Sequence, residues 1–477
     1  MKFKRNDTIT QGEKTYTVTD FLGEGGQGEV YLVECEGSEY ALKIYKDQVS
    51  ADFRYNLKNN IAKGAPSADF LWPIELLDFD DGDLGYIMDL RPKNYVSFVS
   101  YLTGKNKFAS KTVMLKWCIS LCTAFKKLHE EGYSYQDLND GSFFFDPDTG
   151  ALLICDNDNV TADKKNLGVL GKMRYMAPEI VRGDKTRNGS IQLPDVHSDR
   201  FSLAVILFMA LCLGNPFEGE RLKNYDIVDE DAEYEMFGKD PVFVYHKLDK
   251  SNRPIRGYHS AVLRRWAYVP IYIKEAFHRT FVDGLRDREN ERTTPLEWIK
   301  LLSRYRDELI TCGKCGYDYI VGYAEKKRYT ECPSCNSPTK DFCTLHIGRS
   351  DIALDLRKRV YEPHVDKFSS KYGNAVGRVV SNKNNPSLWG IKLALDLGKR
   401  VYEPHVDKFS SKYGNVVGRV VSNKNNPSLW GIKLALDGDV EIKDSAGKTK
   451  VVAKDGVIPI IRNLKIKFND KTIGEIR

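Results

Sequence analysis

The chain has 477 residues, a formal net charge of +6, 42% hydrophobic and 29% charged side chains, and ten cysteines. That length exceeds one ordinary core and predicts a main domain with one or two smaller modules, while so mild a basicity lacks the concentrated positive face of a dedicated nucleic-acid binder. The first 18 residues place no apolar stretch behind their charges, and the longest apolar run, Phe201 to Leu213, is shorter than the roughly 20 residues of a membrane span. A cytoplasmic protein without membrane attachment is expected.

In chain order, residues 15–45 alternate apolar and polar positions around a glycine cluster, which predicts three antiparallel strands, with a helical stretch to follow. From Val113 to Leu128 the apolar residues recur at helical spacing, and Ser202 to Leu213 is apolar almost all round, as in a helix buried on every side. Strands first and helices afterwards predict an α+β domain of two lobes over residues 1–307, about 12–90 and 91–307. A cysteine-paired segment, 308–340, and a β-rich module, 341–477, complete the chain.

Three groups of residues carry chemistry. Gly23, Gly25 and Gly28 lie between two predicted strands and precede Val30; glycines there let backbone approach phosphates closely. Ala41 and Lys43 follow on an apolar strand, and a lysine so placed needs a partner that phosphate oxygens would supply. Asp137 and Ser142 lie in the loop after the helix ending at Leu128 and His129, and Asp156 stands fourteen residues after Ser142, at the end of the apolar run Leu152 to Cys155. Ala177, Pro178 and Glu179 come next, then Asp199 at the head of the buried helix, then Arg292.

In this order the motifs resemble the protein kinase family over about residues 15–305. The resemblance implies a bilobal kinase-like fold, ATP with magnesium or manganese, and transfer of the γ-phosphate to protein serine or threonine hydroxyls. It assigns Lys43 to the ATP phosphates, Asp137 to the incoming hydroxyl, Asp156 and Ser142 to the metal, and Met88, Asp89 and Arg91 to the hinge beside adenine. Glu179 and Arg292 are expected to form a buried ion pair. The fuller wording is similar to a bacterial subfamily of eukaryotic-type Ser/Thr kinases with a zinc ribbon and a β-rich tail. That subfamily implies metal-dependent protein phosphatases and von Willebrand A-type proteins as partners in a stress or tellurite-resistance setting.

Three departures bear on catalysis. Tyr135 and Gln136 replace the family's His-Arg before Asp137, so activity is expected not to require phosphate on Thr161 or Tyr175. Ser142 replaces the Asn that helps hold a second magnesium. No Glu occurs between Gln48 and Ile74 to pair with Lys43, which leaves Asn59, Asn60 or Asp156 alone to orient it. The rival readings are a nucleotide-binding scaffold without transfer and a kinase-regulated nucleic-acid module in the C-terminal part.

Cys312 and Cys315, separated by sixteen residues from Cys332 and Cys335, have the spacing of a closed, structural four-thiolate zinc site. In the tail, residues 353–393 recur at 394–434 with differences only at Arg357/Gly398 and Ala375/Val416, a recent tandem duplication. A small β sandwich is expected there. His364 and His405 are one duplicated position and read as structural.

Overall fold

The computed structural model describes residues 2–79, 82–165, 167, 171–320 and 331–339, and beyond them the strands named below, the turn at 444–448 and Leu464. Two compact units divide the chain, Met1–Ile299 and Lys300–Arg477.

The first unit begins with β1 (Thr8–Gln11), β2 (Lys14–Glu24), β3 (Gly28–Cys35), β4 (Ser38–Tyr45), α1 (Ala51–Lys63), β5 (Pro73–Asp78) and β6 (Leu84–Asp89). The six strands make one antiparallel sheet in the order β1-β2-β3-β4-β6-β5. Side chains alternate across it. Tyr16, Val18, Tyr31, Val33, Leu42 and Ile44 form a core with Leu77 and Ile87. The other face of β4 carries Lys43 and Tyr45, and there α1 packs Phe53 and Leu57 beside Tyr45, Leu84 and Tyr86. Ser50 caps α1 by accepting a hydrogen bond from the Phe53 amide.

The second lobe is helical. It comprises β7 (Val96–Ser97), α2 (Phe98–Leu102), α3 (Lys111–Glu130), β8 (Tyr133–Ser134), β9 (Phe143–Phe145), β10 (Leu152–Ile154), β11 (Thr161–Ala162), α4 (Pro178–Val181), α5 (Val196–Cys212), α6 (Glu230–Glu233), α7 (Ser260–Ala267), α8 (Ile271–Phe281) and the first residues of α9 (Pro295–Glu308), whose remainder belongs to the second unit. Every residue of α5 from Phe201 to Cys212 is buried, as its all-round apolar sequence requires. A capping box of Asp195 and Ser198 starts it. No helix among the described residues is long and apolar enough to cross a membrane.

Glu179 and Arg292 form the expected pair, with two parallel hydrogen bonds of 2.7 Å, and Arg292 also donates to the carbonyls of Gly284 and His197. Arg288 adds a second cation 3.1 Å from Glu179.

In the second unit β12 (Leu309–Thr311) pairs with β13 (Asp318–Ile320). The tail follows with β14 (Cys343–Ile347), β15 (Ser350–Leu354), β16 (Arg359–Tyr361), β17 (Ala375–Ser381), β18 (Trp389–Lys392), β19 (Gly418–Ser422), β20 (Trp430–Leu434), β21 (Val440–Lys443), β22 (Thr449–Val452), β23 (Val457–Pro459), β24 (Lys465–Asn469) and β25 (Thr472–Ile476). They form a six-stranded sheet, β15-β14-β25-β24-β21-β22, and two three-stranded sheets, β16-β17-β18 and β19-β20-β23. The duplicated copies make the same hairpin: Arg378 faces Lys392 and Ser381 faces Trp389 in one, Arg419 faces Lys433 and Ser422 faces Trp430 in the other. His364 and His405, the duplicated position expected to be structural, lie outside the described residues.

Burial alone would raise the Glu179 carboxyl, but Arg292 and Arg288 outweigh it and hold it below its ordinary value. A depressed carboxyl stabilises the fold above its unfolded value, about 4.3, and loses that contribution as pH falls through the folded value. Glu179→Gln strands the buried Arg292 and should cost roughly 3–5 kcal/mol in urea unfolding at pH 7. The gap between variant and wild type should close on acidification below about pH 4.

Candidate active site

The glycine turn between β2 and β3 is closed by a hydrogen bond of 2.8 Å from the Gly25 amide to the Gly28 carbonyl. A Cβ at Gly28 would meet the Ile44 carbonyl oxygen at 2.3 Å, so only glycine fits against β4. Gly23 adopts φ +154°, open to glycine and rarely to other residues. Gly25 has nothing near its missing side chain, which leaves the backbone approachable from outside.

Register places the rest of the upper wall. Val30 lies opposite Lys43, and the buried Ala41 lies opposite Met88. Met88 is half-buried against the Tyr45 and Phe53 cluster, and Asp89 ends β6 opposite Tyr40. Arg91 follows, exposed, its guanidinium 4.4 Å from the Phe144 ring centroid.

The loop that carries Asp137 hangs from α5. Asp199, buried at the start of that helix, accepts a hydrogen bond of 2.8 Å from the Tyr135 amide and lies 3.0 Å from His129 Nε2. Gln136 is held at φ 71°, outside the usual range for its type. Its amide donates to the Thr161 hydroxyl and the Lys165 carbonyl, tying the loop to the segment after Asp156. Asn139 donates to both the carboxylate and the carbonyl of Asp137, each at 3.2 Å. Burial holds the Asp137 carboxyl above its ordinary value, against the Asn139 amide and the Lys172 charge. Ser142 is fully buried, and its carbonyl accepts from the Cys155 amide at 2.8 Å, which joins the loop to the Asp156 segment.

Asp156 begins that segment in the left-handed region, φ 56° and ψ 42°, with 53% of its side chain open to solvent. A single 3-10 turn, Asn157–Asn159, follows. Asn157 donates to the carbonyls of Leu71 and Ile154, 2.8 Å each. Asp158 is 0% exposed and reaches Lys43 Nζ at 2.8 Å, whereas Asp156 lies 3.7 Å away. The Tyr45 hydroxyl donates to the same Asp158 oxygen.

This corrects the expectation for the partner of Lys43. Asn60 donates instead to the Val160 carbonyl at 2.8 Å, as does Asn56, and Asn59 is exposed. Asp156 is the more distant of two acids. The sequence carried a signal for Asp158: a lysine in an apolar strand demands a nearby acid, α1 has no Glu, and Asp158 replaces the glycine that ends the family's Asp-Phe-Gly. Burial alone would lower the Lys43 ammonium, but Asp158 and then Asp156 outweigh it and hold it above its ordinary value.

In the second unit the Sγ atoms of Cys312, Cys315, Cys332 and Cys335 all lie within 4.8 Å of one another. Cys312 and Cys335 are 3.7 Å apart and Cys315 and Cys332 3.6 Å apart, too long for disulfides and close to the roughly 3.8 Å between thiolates of a tetrahedral zinc site with Zn–S of about 2.3 Å. Two tight turns, closed by Gly316 N to Cys312 O and Asn336 N to Cys332 O at 2.9 Å each, aim the pairs at each other.

A family model described as the protein kinase domain matches residues 16–242. The putative ribosomal protein S6 kinase alpha-1 of Caenorhabditis elegans is 28% identical over 232 residues, 44% of this chain and 27% of that protein. The ribosomal protein S6 kinase alpha-6 of Danio rerio is 29% identical over 216 residues, 42% of this chain and 27% of that protein. The chain thus spans 27% of the length of these two curated relatives. Among solved structures, the kinase domain of Mycobacterium tuberculosis PknI aligns with TM-score 0.41 and 19% identity, over 63% of this chain and 98% of that one. Residues 16–242, just under half of the chain, thus match the protein kinase domain.

Proposed function

We propose that the chain is a protein serine/threonine kinase that moves the γ-phosphate of ATP onto a hydroxyl of a protein substrate. The observation that carries this reading is a convergence inside the matched segment: Lys43 lies against Asp158 and Asp156, and the charge of Asp137 acts on both Lys43 and Asp156. Three carboxylates against one ammonium leave a net negative, partly buried cluster. Asp158 Oδ1 is buried with no hydrogen-bond partner among the described residues. An all-oxygen donor set of this charge suits magnesium or manganese, which Asp156 would hold with Ser142 in support. Such a cation, when bound, supplies charge neutralisation at the phosphates.

The chain's own residues do the remaining work. Lys43 offers a positive charge to phosphate oxygens from a fixed strand position, and the backbone of Gly23, Gly25 and Gly28 covers them. Met88, Asp89 and Arg91 face the adenine, beside Val30 and Ala41. Asp137, fixed by Asn139 and by the anchor of its loop on Asp199, orients the incoming hydroxyl and accepts its proton.

Labelled ATP with magnesium or manganese and a generic protein substrate tests this directly. Wild type should transfer label, and Asp137→Asn should lower the rate by roughly 10²- to 10⁴-fold. If wild type transfers none while ATP still raises its melting temperature, the domain is a nucleotide-binding scaffold.

Gln136 reaches Thr161 and Lys165 without phosphate, and Thr161 and Tyr175 are 0% and 2% exposed. Protein treated with a phosphatase should therefore keep its activity, with intact-mass analysis confirming that phosphate is gone; loss of activity would count against this reading.

The cysteine cluster is proposed as a structural zinc site, since four thiols leave no open coordination position. Elemental analysis should find about one zinc per chain, and Cys312→Ser or Cys335→Ser should release it. Retention of the metal by both variants would exclude these ligands.

A further inference from the structure

We infer that Asp158 is the positioning partner of the catalytic Lys43, taking over the role that a glutamate on the helix after the lysine strand has in other protein kinases. The observations are geometric. Asp158 is fully buried, its Oδ2 lies 2.8 Å from Lys43 Nζ, and it sits two residues after Asp156, on the same turn. The α1 helix offers Lys43 no acid: its one carboxylate, Asp52, is exposed, and Asn56 and Asn60 are both committed to the Val160 carbonyl. Tyr45, two residues along β4 from Lys43, points its hydroxyl at the same Asp158 oxygen, so strand and turn are joined by two side chains on one face.

The exchange alters what can switch the site. With a glutamate on the helix, moving the helix breaks the pair; here the acid travels with Asp156. The pair therefore forms whenever the 3-10 turn 157–159 is in place, and that turn is fixed by Asn157 on the carbonyls of Leu71 and Ile154. The α1 helix follows rather than leads, since its two amides hold the Val160 carbonyl just beyond the turn. A domain assembled this way needs no helix movement to orient its lysine.

The catalytic consequence rests on the kinase reading; the pairing itself does not, and the test separates them. The full chain is compared with Asp158→Asn, Asp158→Gly and Asn60→Ala in two assays. Acylation of Lys43 by an amine-reactive reagent, without nucleotide or metal and read by peptide mass spectrometry, reports the pairing. It should accelerate several-fold in both Asp158 variants, through loss of a charge-assisted hydrogen bond, and stay unchanged in Asn60→Ala. Phosphate transfer reports the consequence: kcat should fall roughly 10- to 100-fold in the Asp158 variants, with KM for ATP changing less. Asp158→Gly restores the small residue of the family motif, so agreement between the two variants assigns the loss to the charge and not to a packing defect. Unchanged acylation in the Asp158 variants, or acceleration in Asn60→Ala alone, overturns the pairing. Accelerated acylation with kcat within twofold of wild type overturns the positioning role, and absence of transfer by wild type overturns the kinase reading while acylation still decides the pair.

Discussion

An ammonium group that is only 5% exposed inside a sheet has to be neutralised where it lies, because taking an unpaired charge out of water costs far more than a domain's net stability can supply. Lys43 is that group, and much of the first unit can be understood as the arrangement that makes its burial tolerable. Alternation along β4 turns Leu42 and Ile44 to the apolar core and Lys43 and Tyr45 to the opposite face. The acids that answer Lys43 come from more than a hundred residues away, so its neutralisation requires both lobes to be folded.

The lower half meets this demand through a chain of buried polar contacts. Asp199 fixes the loop backbone at Tyr135, the Ser142 carbonyl receives the Cys155 amide, and Asn157 fastens the turn that carries Asp158. Each of these contacts positions a charged group, and such networks specify a geometry only when nearly every member is satisfied. Glu179 and Arg292 do the same further down with a bidentate pair. Gln136 shows how a neutral residue replaces a charged one: an amide cannot bind phosphate as a guanidinium would, but it donates to a hydroxyl and a carbonyl on the following segment.

The two units differ in what stabilises them. The first buries large apolar helices such as α5, while the segment around Cys312 has a small core of Ile310, Tyr319, Ala353 and two of its cysteines. Among the described residues a core that small is of the kind that a metal or disulfides ordinarily supplement, and the sulfur separations are too long for disulfides and compatible with a metal.

Much of this was legible in the residues themselves. Period-two alternation announced β2, β3 and β4, all-round hydrophobicity announced the buried α5, and the order of Lys43, Asp137, Asp156 and Glu179 pointed to the candidate site, because strand and helix periodicity and turn chemistry are local properties. The Glu179 and Arg292 pair followed from the family resemblance. The partner of Lys43 did not follow. Reading along the chain directed attention to α1, where Asn60 is an eligible side chain in every local respect; which amide or acid reaches a buried lysine depends on the left-handed start at Asp156 and on where the turn comes to lie against β4. Local sequence determined which residues could take part, and tertiary structure decided which of them met, because a hydrogen bond needs about 3 Å and only the packed chain sets distances on that scale.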